Sequence, residues 1–175
     1  MAEPLRPSAT PVHGRESWIF VPAIADKAAP TVAELTAAGS LDVTRIVFAD
    51  SGKPSQSTNR VTQQRRLGDT TVPEFIGDTS YTGGDLTYAL DPQAAAGADG
   101  KKMWELVPEG TTGYLVRRLG VPRATAPTAG QFVDVYPVGF GPSMPTTVGD
   151  AESAEAAAMC TFAVTDTPEF LAAVA

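Results

Sequence analysis

The sequence predicts a mainly β domain, a β-sandwich flanked by one or two short α-helices. Three observations carry that expectation. Residues 71–92, TVPEFIGDTSYTGGDLTYALDP, read as two extended segments around a glycine pair. In the second segment Leu86, Tyr88 and Leu90 fall on one face and Asp85, Thr87 and Ala89 on the other, which is the period of a strand. Further short apolar runs, rich in β-branched residues, recur along the chain. Finally, 15 prolines and 16 glycines in 175 residues fit regularly spaced turns between short strands. A hydrophobic content of 43% argues against general disorder.

The elements follow in order. Residues 1–16, with Pro4, Pro7 and Pro11 among small residues, read as an N-terminal arm; 17–166 as one domain; 167–175 as a C-terminal tail. Trp18–Val21 is a short apolar strand stopped by Pro22. Thr31 with Glu34 three residues on has the capping-box spacing, so a two-turn helix is expected, with Gly39 as its stop. Leu41–Phe48 reads as a strand, Asp50–Ser57 as a polar loop and Arg60–Arg66 (RVTQQRR) as a polar strand. Gly83-Gly84 reads as a tight hairpin turn. Asp99 is the expected cap of a helix through Leu106, with Met103, Leu106 and Val107 facing a core. Thr112–Leu119 and Gln131–Gly139 are strands, and Pro137 suggests an edge or a bulge in the latter. Residues 154–165 alternate Cys160, Phe162 and Val164 with polar or small residues, so strand is preferred there despite the alanines. The tail TPEFLAAVA (167–175) is apolar enough to require docking, on this subunit or the next.

Several of these strands are apolar on both faces. A two-layer sandwich covers only one face of each sheet, so the second face needs cover too. Two short helices supply part of it. The rest is expected from other copies of the chain; internal burial is the alternative.

Composition removes several function classes. Lys+Arg 13 against Asp+Glu 20 gives a net charge of −7, which disfavours tight nucleic-acid wrapping. One cysteine, Cys160, permits no internal disulfide and reads as a buried small residue. His13 is the single histidine and sits in the arm, so a catalytic triad or a zinc site has no material. No phosphate-binding or dinucleotide glycine motif is present. Asp78 and Asp85 are a carboxylate pair of the solvated kind, not a glycosidase pair. No apolar run approaches the roughly 20 residues of a membrane helix, and MAEPLRPSATPVHG does not read as a secretory signal. No enzyme activity and no cofactor or metal are expected. The arginines Arg60, Arg65 and Arg66 are either a charged edge that prevents sticking or a patch that pairs with carboxylates of an adjacent subunit.

Read together, PTVAELTAAGSLDVT (30–44), GDTTVPEFIGDTSYTGGDLTYALDPQ (68–93) and EGTTGYLVRRLG with GQFVDVYPV (109–120 and 130–138) resemble the major tail tube proteins of long-tailed, siphovirus-type actinobacterial phages. The resemblance spans nearly the whole chain after about residue 16. It implies a β-sandwich subunit in hexameric rings whose strands join in one shared inner β-barrel. The rings would stack into a tube, assembled in the host bacterial cytoplasm around a tape-measure protein, bounded by tail-tip and terminator proteins. In the virion tail that tube would conduct DNA, and the acidic balance suits passage without sticking. On this reading Asp85 and Thr87 are candidates to face the lumen. Asp50, Lys53 and Gln56 form a candidate ring-to-ring contact loop, and Arg60, Arg65 and Arg66 a candidate inter-subunit patch. The alternatives are another phage tail or neck structural protein, a carbohydrate- or receptor-binding β-domain on the virion, and a small β-fold enzyme.

Overall fold

The computed structural model describes residues 9–175. Residues 1–8 of the expected arm lie outside the described residues. The elements are β1 (Glu16–Val21), α1 (Val32–Leu35), β2 (Leu41–Asp42), β3 (Ser55–Thr62), β4 (Glu74–Thr82), β5 (Gly84–Ala89), α2 (Asp99–Leu106), β6 (Thr112–Leu119), β7 (Phe132–Val148), β8 (Glu155–Val164) and β9 (Glu169–Ala173). One antiparallel sheet runs β2-β1-β6-β7-β8-β5, with β9 beside the first part of β7, and β3-β4 form a separate two-stranded ribbon. The mainly β class with two short helices is therefore observed.

The sheet curls. Strands from both its ends contribute to one cluster, in which Phe20, Leu115, Tyr136, Val138 and Phe140 meet Leu86, Tyr88, Cys160 and Phe162. The expected inward face of β5 is borne out: Leu86, Tyr88 and Leu90 are all buried. Helix α2 adds Met103, with Trp104 packed against the same cluster. Tyr88 is fully buried, and its hydroxyl donates to Ser143 Oγ at 3.1 Å. Ser143 borders a register shift in β7 between Phe140 and Ser143. That irregularity meets the hydrogen-bonding need of a buried phenol.

The alternate residues of the same strands form a second cluster on the outer face: Ile19, Val21, Val116, Val133 and Val135. The chain covers this face itself. Ile24 and Leu35 come from the α1 region, Ala172 and Val174 from the C-terminus. The carbonyl of Ala175 accepts from Val32 N, and Ala175 N donates to Pro30 O. The expectation that other copies cover the second face of these strands is thus corrected, and the tail docks on its own subunit. Two-sided strands follow from a core on each side of one sheet, the arrangement usual where both faces are covered.

Other local readings change as well. The Thr31–Glu34 capping box is present, with Glu34 accepting from Thr31 N at 2.7 Å, but α1 is a single turn and ends well before Gly39. The N-cap of α2 is Ala98; Asp99 lies in the first turn, paired with Lys102 at 2.7 Å. Only Leu41–Asp42 of the expected 41–48 strand pairs with β1. The chain then turns at Val43, and Val47 makes a single bridge to Tyr88. β7 runs on to Val148, and Pro137 sits inside the sheet. There β7 changes partner, from β9 at Val135 to β8 at Val138, so the missing N–H falls where no neighbour strand needs it.

The largest correction concerns Gly83-Gly84. β4 and β5 do not pair. Only Gly83 separates them, and the backbone makes no turn or bend there. β4 pairs with β3, and β5 pairs with β8. Neither glycine has a positive φ. A Cβ on Gly83 would overlap the carbonyl oxygen of Phe162 and lie 2.9 Å from Ala163 Cα. Glycine is required here for close passage over β8, not for a turn.

Candidate functional site

The feature that the packed body leaves unexplained is the β3-β4 ribbon. Every residue of β3 is exposed, and β4 is exposed except at Gly77 and Tyr81. Its strands pair from Ser55↔Thr82 out to Thr62↔Glu74, with an irregularity between Thr58 and Arg60. Thr58 and Thr79 share a hydroxyl hydrogen bond of 3.1 Å, the kind of cross-strand pair that β-branched threonines favour. Yet the ribbon also carries apolar side chains in water: Val61, Leu67, Val72, Phe75 and Ile76. Val61 lies opposite Phe75, and Ile76 opposite Arg60. A two-stranded ribbon is marginal alone in water, and a cluster of exposed apolar residues marks a contact surface.

Arg60 lies within β3, whereas Arg65 and Arg66 lie beyond its end, because β3 stops at Thr62 and not at Arg66. Arg65 Nε donates to Asp69 O at 2.9 Å, and Arg66 N donates to Asp69 Oδ2 at 2.9 Å, so Asp69 shapes the ribbon's tip. The three arginines are therefore on one projecting element. Gln56 is in β3, opposite Tyr81, and not in a loop. Asp50 is exposed in the 49–54 segment, and Lys53 Nζ is held by Glu16 Oε1 at 3.2 Å. Asp85 is exposed and its carboxylate accepts from Thr161 Oγ1 at 2.8 Å. Thr87 is half-buried under the 46–52 segment: Ser51 Oγ accepts from Thr87 N at 3.0 Å and donates to Thr87 O at 2.8 Å. The outer edge of β5 is thus blunted by this chain, also through Phe48 N to Thr87 O and Gly52 N to Asp85 O.

Sequence reasoning missed the group that ties the ribbon's root to the body. Glu16 accepts from Trp18 Nε1 at 2.9 Å, from Arg117 Nε at 3.1 Å and from Lys53 Nζ. Burial raises its pKa, but the Trp18 and Lys53 hydrogen bonds and the charges of Lys53 and Arg117 outweigh that and hold it below the ordinary value. The Arg117 guanidinium also lies over the Trp18 ring, 5.7 Å from its centre. Three segments meet here, β1, the 49–54 segment and β6, and no spacing in the sequence announces them. Among the described residues, no group of His, Cys, Asp and Glu could hold a metal ion. No helix there is long and apolar enough to cross a membrane.

A mainly β body with two cores and a projecting, incompletely buried ribbon is a structural building block, and the comparisons place it among the proteins of phage tails. The chain belongs to the phage tail tube protein family, whose model matches residues 4–175. It is accordingly a structural virion protein and not an enzyme. No curated protein sequence matches it. Among solved structures, a chain of the anti-feeding prophage baseplate, determined by cryo-electron microscopy with six-fold symmetrisation, is similar in fold. The TM-score is 0.51 at 10% identity, covering 98% of this chain and 97% of that one.

Proposed function

We propose that this chain self-assembles into hexameric rings that stack as the tail tube of a siphovirus-type phage and conduct DNA at ejection. The observation that carries the reading is the β3-β4 ribbon, which leaves Phe75 at 55% and Ile76 at 76% exposure on strands with free outer edges. Another copy of the chain would bury these residues and pair those edges, and a closed ring of copies leaves no edge free. The Arg60, Arg65 and Arg66 patch then meets carboxylates of the adjacent subunit, and Asp50, Lys53 and Gln56 lie at the ring-to-ring junction. Asp85 and Thr87 face the lumen, where an acidic surface lets DNA pass. Assembly takes place in the host bacterial cytoplasm on a tape-measure protein, with tip and terminator proteins closing the ends. The likeness to a baseplate chain favours, as the second reading, a tail protein next to the tube.

Negative-stain microscopy with sedimentation, over a rising protein concentration, tests the proposal. Rings and tubes are expected; a monomer at every concentration refutes it. In a tube that forms, Asp85→Lys is expected to leave the particle intact and slow DNA ejection. Normal ejection would remove Asp85 from the lumen.

A further inference from the structure

Among the described residues, the core is not closed beside the ribbon's root. A cleft of about 310 Å³ enters between the 43–54 segment and the sheet. Its walls are Trp18, Val47, Leu86, Leu115 and Phe162, all part of or packed against the main core, together with Phe48. Apolar clefts of this size are the lower end of those that hold a ligand or an anchoring side chain. The rim is basic. Lys53 and Arg123 line it, Arg117 stands over Trp18, and Glu16 is the single carboxylate in the lining, already shared between Lys53 and Arg117.

The chain itself contains a segment with the complementary character. Glu74-Phe75-Ile76-Gly77-Asp78 on β4 presents two exposed apolar side chains flanked by two carboxylates. Neither Phe75 nor Ile76 lines the cleft of its own chain. The ribbon begins at Ser55, one residue beyond Pro54 of the cleft wall. From Thr82 at that root to Phe75 is seven residues along β4, at most about 23 Å at the rise of a strand. Phe75 therefore sits well along the ribbon from the cleft beside its root.

We infer that the cleft beneath the 43–54 segment is the receptor for the Glu74–Asp78 segment of a second copy. Phe75 or Ile76 enters the apolar floor, and Glu74 and Asp78 meet Lys53 and Arg123 on the rim. The inference rests on the self-assembly reading and adds to it the acceptor surface. Burial of one large apolar side chain strengthens association by about tenfold or more, so Phe75→Ser and Ile76→Ser are each expected to weaken association by at least that factor. Both positions are exposed, so unfolding of the monomer should not change.

The deciding experiment mixes two full-length variants, Ala49→Cys at the cleft rim and Glu74→Cys beside the anchor, under mild oxidation. Cys160 is buried and its thiol is pushed up to about 11 by burial, so it gives little background. A disulfide-linked heterodimer is expected in the mixture and not when either variant is mixed with the unmodified protein. Rings or tubes without that heterodimer overturn the cleft assignment and leave the tube reading standing. The heterodimer in particles that never close into rings supports the cleft and overturns the tube. Neither rings nor heterodimer overturns both.

Discussion

Gly83→Ala tests the account of how the ribbon joins the body. An added Cβ would overlap the Phe162 carbonyl oxygen and lie 2.7 Å from its carbon and 2.9 Å from Ala163 Cα. All three obstacles are backbone of β8, which also pairs with β7, so no rotamer change relieves them. Overpacking typically costs about 1–3 kcal/mol; with backbone as the obstacle the expected loss is about 3 kcal/mol. That is a large part of the roughly 5–15 kcal/mol that holds a domain together. Urea unfolding followed by Trp18 and Trp104 fluorescence measures it, with the midpoint lowered and the slope unchanged. Gly84→Ala is the control: its nearest obstacle is Gly52 Cα at 3.2 Å, on a loop, and a loss below about 1 kcal/mol is expected. Gly83→Asn separates two explanations. A turn glycine with positive φ tolerates Asn, whereas a close-approach glycine tolerates no side chain. If Gly83→Ala or Gly83→Asn unfolds within about 0.5 kcal/mol of the unmodified chain, an ordinary surface effect, the reasoning is wrong.

Arg118 is 2% exposed and donates to Ser17 Oγ, Gln131 Oε1 and Thr125 O, tying the 120–130 loop to β1 and β6. Arg118→Met strands those acceptors and should cost about 2–3 kcal/mol in the same unfolding assay; Arg118→Lys, without the planar fork, should recover only part of it. Glu16, held below its ordinary 4.5, adds stability that is present above about pH 4.5 and is lost as pH falls through its folded value. Glu16→Gln should therefore lower stability at pH 7 and flatten the acid limb of the stability–pH curve, and an unchanged limb would count against the group's role. Leu171 has φ 54 and is 72% exposed, so it carries backbone strain with little packing in return. Leu171→Gly should be neutral or stabilising by up to about 1 kcal/mol in thermal unfolding; a clear loss would show that its side chain is used.

The candidate site was half legible in the sequence. The charges of Arg60, Arg65 and Arg66 mark an exposed or contacting element, and the ribbon does carry them. Phe75 and Ile76 gave no such signal, because an apolar pair in an extended segment looks the same whether it is packed or left in water. The Glu16 group was invisible for another reason: its partners Lys53 and Arg117 lie far from it in sequence.

Local chemistry determined what the chain could specify alone. The inward face of β5, the Thr31–Glu34 capping box, the whole of β6 and the strand character of β8 all depend on residues within a few positions of one another. Periodicity says which face of a strand is apolar. It does not say which strand lies beside it or what covers the face. Only the tertiary structure decided that β4 and β5 part company at Gly83, where β8 leaves no room for a side chain. Only it decided that the C-terminus closes the second core and that the β3-β4 ribbon stands exposed as a separate two-stranded sheet. Those outcomes depend on contacts between residues tens of positions apart, whose proximity no local pattern records.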